Sequence, residues 1–184
     1  MPNIITAASV AILFNALFGY PKGPVNDLLV NTGLRDSAFY FMNSPKATRW
    51  IVAFIQFWMW YGYTMIILIS GVLGINPEIF EAAEIDGATD TQIFFQITLP
   101  NLRTILTYTL ITSLIGGLSM YDIPKMLNNG NPNNATLTAN MFIYNQAFQG
   151  SYMYARAAAA SMIMFVIIAF FSAIVFFLMR DRKA

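Results

Sequence analysis

Two clusters of residues have types and spacings suited to molecular recognition. The first is the run Glu81-Ala82-Ala83-Glu84-Ile85-Asp86-Gly87-Ala88, which sets carboxylates among small residues. The second is Gln56, Trp60 and Tyr63, which stand at i, i+4 and i+7 and so share one helical face. Aromatic faces stack on the C–H surfaces of sugars and amides bond their hydroxyls. A face packed against a partner helix would show the same spacing, so both readings stand. Catalysis has no comparable basis. The 184 residues include no Cys and no His, which removes disulfides, thiolate chemistry and zinc sites of the usual N/S type. No acidic pair lies inside an apolar segment, and no G-x-x-x-x-G-K-[ST] run supplies a phosphate loop. The chain is expected to be no enzyme, and to hold no metal and no cofactor of its own.

The elements that carry these clusters are set by an unusual composition. Hydrophobic residues make up 57% and charged residues only 10%, against about 45–50% and about 25% in soluble domains. The charges are also bunched: 22–49, 78–103, 122–156 and the last five residues hold all of them. Four charge-free stretches remain, at 1–21, 50–77, 104–121 and 157–179. A crossing helix needs about 20 apolar residues. The expected fold is therefore all-α and integral to the membrane, a single domain with about four spans near 4–19, 47–74, 103–121 and 157–179. A net charge of +1 with no basic run before the tail gives no footprint for nucleic acid.

Local signals sharpen this outline. The first span is the weakest, with Asn15 inside it and the turn-like 19–24 after it. Residues 20–44 have room for a short interfacial helix around Phe39-Tyr40-Phe41-Met42. Ser44-Pro45 reads as a cap and first helical residue for span two. Span three is rich in small and hydroxyl residues such as Thr109, Gly116 and Gly117, which permit close helix packing. The Asn-rich 128–134 is a water-exposed connection. Span four ends at Arg180-Asp181-Arg182-Lys183, where basic heads can snorkel.

Between spans two and three the signals predict two short helices. Asn76-Pro77 caps the first, Gly87 ends it in a left-handed conformation, and Thr89 with Gln92 forms a capping box for the second. Pro100 then falls in the first turn of span three. On helix signals alone this is a solvated acidic loop.

A longer pattern says more. Residues 81–100 match E-A-A-x3-G-x9-I-x-L-P at every one of its fixed positions. The segment resembles the EAA loop of the membrane subunits of binding-protein-dependent ABC importers. Gly23-x-x-Asn26, the stretch 60–67, Tyr121-Asp122-Ile123, Asn129-Gly130-Asn131-Pro132 and Tyr144-Asn145-Gln146-Ala147-Phe148 are similar to the sugar-permease branch, the maltose-type and multiple-sugar-type first permease subunit. Asn131 stands where a second glycine is common in the family, and Tyr121 where Phe is. Family members generally have six or more spans, whereas this chain starts almost inside one. An N-terminally incomplete protein is expected.

The resemblance implies a type-1 ABC importer permease domain whose EAA loop, 78–100, is cytoplasmic and docks on an ATPase. Glu81, Ala82, Ala83, Asp86 and Gly87 would make that contact, and Ile97, Leu99 and Pro100 would fix the loop to span three. Gln56, Trp60 and Tyr63, with Gly117 and Met120 on span three, match the sugar path of the maltose-type subunit. Implied partners are a second permease subunit, ATPase subunits that bind the ATP, an extracytoplasmic sugar-binding protein, the bilayer and a sugar, with an oligosaccharide favoured over a polyol or glycerol phosphate. The location implied is the cytoplasmic membrane, multi-pass, with the C-terminus inside.

Basic residues argue the other way. That inner side would carry Arg103, Arg180, Arg182 and Lys183, and the outer side Lys22, Arg35, Lys46, Arg49, Lys125 and Arg156. A secondary transporter would need ionisable groups well inside its spans, and none lies there. A non-transporting fragment is the remaining rival.

Overall fold

The computed structural model of the protein describes residues 2–150 and 152–180. Among these residues all regular structure is helical. The longer helices are α1 (Ala7–Leu17), α2 (Pro24–Asn31), α3 (Pro45–Leu73), α4 (Pro77–Ile85), α5 (Arg103–Leu118), α6 (Asp122–Asn128), α7 (Ala139–Phe148) and α8 (Tyr154–Met179). Three helical stretches are long and apolar enough to cross a membrane: Pro45–Leu73, Arg103–Asn128 and Tyr154–Met179. Where the sequence suggests a crossing before Gly19, α1 has 11 residues, about 16 Å of helix. The chain then turns through Pro21, Gly23 and Pro24. The basic residues Arg182 and Lys183 lie outside the described residues.

The chain divides into two compact units, 1–60 with 117–166, and 61–116 with 167–184. In the first, Val10, Ala11 and Phe14 of α1 pack with Ile51, Val52, Ile55 and Met59 of α3 and with Ile123 and Leu127 of α6. Asn15, which looks misplaced in an apolar segment, donates from Nδ2 to the Leu127 carbonyl at 2.9 Å. It satisfies one of the last carbonyls of α6, which have no helical partner.

Residues 20–44 fold differently from the single interfacial helix suggested by their aromatics. The helix is α2, further upstream, and Phe41–Asn43 makes one 3₁₀ turn. What organises the segment is Asn26, which is buried. Its amide donates to the Gly19 and Phe39 carbonyls at 2.8 and 3.1 Å and accepts from the Phe39 N–H at 2.8 Å. Gly23 makes room for this lock: a Cβ there would stand 2.7 Å from the Gly19 nitrogen. The Gly23-x-x-Asn26 pattern thus has a structural cause. Asn26→Ala strands three part-buried backbone groups, and a loss of about 2 kcal/mol is expected, read as a lower inactivation temperature in detergent.

The Asn-rich connection is built on left-handed residues, Asn129, Gly130, Asn133 and Asn134. Asn is the non-glycine residue that best tolerates this region. Asn131 lies outside it, so the missing second glycine leaves no strain. Arg49 of α3 donates from Nε to the Ala135 carbonyl at 2.9 Å and ties the connection down.

The second unit holds the loop between α3 and α5. Gly71 of α3 faces Leu102 and Ile105 so closely that a Cβ would lie 2.7 and 2.5 Å from their side chains. Leu102 is buried there. This small residue lets the two arms of the loop touch.

Candidate functional site

The acidic loop begins on α4, whose ends are both capped by local sequence. Asn76 Oδ1 accepts from the Glu78 N–H at 3.2 Å. At the other end the Ala88 N–H donates to the Ala83 carbonyl at 2.9 Å and the Gly87 N–H to that of Glu84 at 3.0 Å, with Gly87 at φ +77°. This is a Schellman ending, which requires the left-handed residue. Thr89 and Gln92 form the capping box the sequence suggests.

The second short helix departs from the expectation. One α-turn, Asp90–Gln92, passes into a π-helix over Ile93–Thr98, a short turn at Leu99–Asn101, and only then α5. The cause is Pro100, which is not in the first turn of α5. Having no N–H, it cannot serve the Gln96 carbonyl, and its ring crowds the preceding turn. The Leu99 N–H instead reaches back to Phe94, five residues, and Asn101 Nδ2 donates to the Ile97 carbonyl at 2.7 Å.

Placed on this scaffold, Glu81, Ala82, Asp86 and Gly87 are exposed and Ala83 is half-buried. Ile97 is half-buried, while Leu99 and Pro100 are exposed. The joint to α5 is therefore carried by residues the sequence reading passed over. Thr98 and Leu102 are buried, and Arg103 donates through Nε and a terminal nitrogen to the Met179 and Arg180 carbonyls. A guanidinium at those carbonyls suits the negative end of α8. Ile85 was missed too. It is 86% exposed and continues the stripe Glu78, Glu81, Ala82 at helical spacing. An apolar residue at i+7 on an otherwise acidic stripe was the available signal.

Gln56, Trp60 and Tyr63 do share one edge of α3. At 100° per residue this edge borders the buried stripe of Ile51, Ile55 and Met59. Gln56 is half-buried, and Trp60 and Tyr63 are 48% and 42% exposed. The edge is thus neither core nor fully open. Gly117 is exposed, whereas Met120 packs against the core of the first unit. Among the described residues no group of His, Cys, Asp or Glu is arranged to hold a metal.

Comparison with known proteins gives a consistent result. The model of the family described as binding-protein-dependent transport system inner membrane component matches residues 1–183. The chain is similar to the lactose transport system permease protein LacF of Rhizobium radiobacter, 30% identical over 100% of this chain and 62% of that protein. It is also similar to the multiple sugar-binding transport system permease protein MsmF of Streptococcus mutans, 33% identical over 91% of this chain and 56% of that one. Among solved structures it resembles a chain of a bacterial alginate ABC transporter in complex with an alginate pentasaccharide-bound periplasmic protein. That match has a TM-score of 0.84 and 26% identity, over 98% of this chain and 62% of the other. The chain spans less than two thirds of the length of each of these proteins.

Proposed function

We propose a function from the family to which this chain belongs, the binding-protein-dependent transport system inner membrane components: it is a permease subunit of an ATP-driven sugar importer. It is a multi-pass membrane protein of a transporter family, not of an enzyme family. The observation that carries the reading is the seven-position EAA pattern, whose Glu81, Ala82 and Ala83 stand on a capped helix that Gly87 ends. In this reading α4 docks on a separate ATPase through Glu81, Ala82, Ala83 and Gly87, with Ile85 as an apolar knob. The carboxylate meets a basic partner, and the small residues permit contact along the helix. Motion of the ATPase then reaches α5 and α8 through the Leu102 and Arg103 joints, a shear of packed helices.

The cargo is a sugar, received from an extracytoplasmic binding protein and passed along Gln56, Trp60 and Tyr63 with a second permease subunit. The names of the similar proteins (lactose, multiple sugars, alginate) support that substrate class.

Orientation follows: residues 78–100 face the cytoplasm and the Asn-rich connection faces out. The basic-residue count opposes this, yet three of the outer cations are held by local partners, Arg35 by Phe39, Arg49 by Ala135 and Lys125 by Gln149. Single cysteines at Thr91 and Ala139 test it in a chain without native Cys. Both sites are exposed and neither is a cap or a left-handed residue. In intact cells an impermeant thiol reagent is expected to label Ala139→Cys only. Equal labelling of both would sink the orientation.

A further inference from the structure

Two of these outer cations, Lys46 and Arg49, mark a second site. Lys46, Arg49, Trp50 and Ala53 line an open groove of about 370 Å³ at the start of α3. Lys46 is exposed and has no hydrogen-bond or ion-pair partner among the described residues. Arg49 is held by Nε to the Ala135 carbonyl, which orients the guanidinium and leaves its terminal nitrogens available. Trp50 is 70% exposed, one turn into a helix long and apolar enough to cross the bilayer. Further along the same stripe, at +3 to +7 from Trp50, Ala53, Phe54 and Phe57 are also exposed, the last two by 52% and 64%.

We infer that this groove binds the headgroup of an anionic phospholipid, with the phosphate between Lys46 and Arg49 and an acyl chain along Phe54 and Phe57. Each part of the surface meets a matching part of that molecule. Tryptophan at a span end sits at headgroup depth. Two cations with no carboxylate paired to them among the described residues suit a phosphodiester, whose oxygens accept charge-assisted hydrogen bonds from both. A zwitterionic lipid brings its own cation, which would oppose Lys46. A free anion would use the cations but not the aromatic stripe below them. The inference rests on α3 crossing a membrane and not on docking at α4.

The test uses the complete permease–ATPase complex in detergent, titrated separately with phosphatidylglycerol, phosphatidylcholine and inorganic phosphate. Bound lipid is counted by native mass spectrometry. Phosphatidylglycerol is expected to fill one site in preference to phosphatidylcholine and to resist displacement by inorganic phosphate. The double variant Lys46→Gln/Arg49→Gln should weaken that binding about 10- to 30-fold. Lys46→Gln alone, which breaks no protein contact, should weaken it about 5-fold. Trp50→Leu keeps both charges and should keep the headgroup preference. Three results would overturn the assignment: unchanged phosphatidylglycerol binding in Lys46→Gln, equal binding of phosphatidylcholine, or displacement by inorganic phosphate. Loss of ATPase co-purification or of uptake is a separate readout, and it bears on the importer reading alone.

Discussion

Gly87→Pro is expected to abolish ATP-driven uptake while the apolar helices still insert. Proline removes the N–H that serves the Glu84 carbonyl and cannot adopt the φ of +77° found at this position. The end of α4 must then unwind or redirect. Space is not the issue, because nothing lies within 4 Å of a Cβ built on Gly87. Gly87→Ala should therefore cost only the left-handed strain, about 1 kcal/mol, and leave most of the uptake. The graded pair separates backbone geometry from bulk. Ala82→Asp acts on the proposed docking surface instead. It sits beside Glu78 and Glu81 on the exposed stripe, where a third carboxylate would be buried without a partner. The expected loss is about 3–5 kcal/mol of association, or more than about a hundredfold. Co-purification of the complete permease with its ATPase, alongside uptake, reads both effects. Normal binding and uptake in both Gly87→Pro and Ala82→Asp would reduce the loop to a connector.

Tyr63→Ala and Gln56→Ala are expected to weaken transport of the native sugar by about 1–3 kcal/mol each, roughly 5- to 150-fold. Assembly with the ATPase should be unchanged. The half-open setting of the edge explains why a specific effect is expected. Gln56 borders the buried stripe and is half-buried, while Tyr63 keeps 42% of its surface available. Tyr63→Phe keeps the ring and removes the hydroxyl, so it divides stacking from hydrogen bonding. Met65→Ala, at an exposed position of α3 away from that edge, is the comparator and should transport normally. If Tyr63→Ala and Gln56→Ala also transport normally, the edge is a packing surface for another helix.

The sequence by itself determined most of what depends on neighbours within four or five positions. Charge-free stretches of sufficient length announced α3 and α8, two helices long and apolar enough to cross a membrane. The Asn76 cap, the Thr89–Gln92 box and the left-handed Gly87 were legible because capping is a contact across two to five residues. The π-helix was missed although its causes are local. Pro100 and Asn101 act together there, and a capping rule applied to one residue at a time does not see the pair.

Only the tertiary structure decided the rest. Asn15 reads as a flaw in a span until Leu127, 112 positions away, is found to need its amide. Arg103 reads as a flanking charge until the end of α8 arrives 76 positions later. Gly71 is one small residue among several until Leu102 and Ile105 close on it. Ile85 and Ile55 are indistinguishable by type, yet one is 86% exposed and the other fully buried. Residue type and local spacing fix which groups need a partner. They do not fix which distant carbonyl or side chain will arrive, because that depends on how whole helices pack.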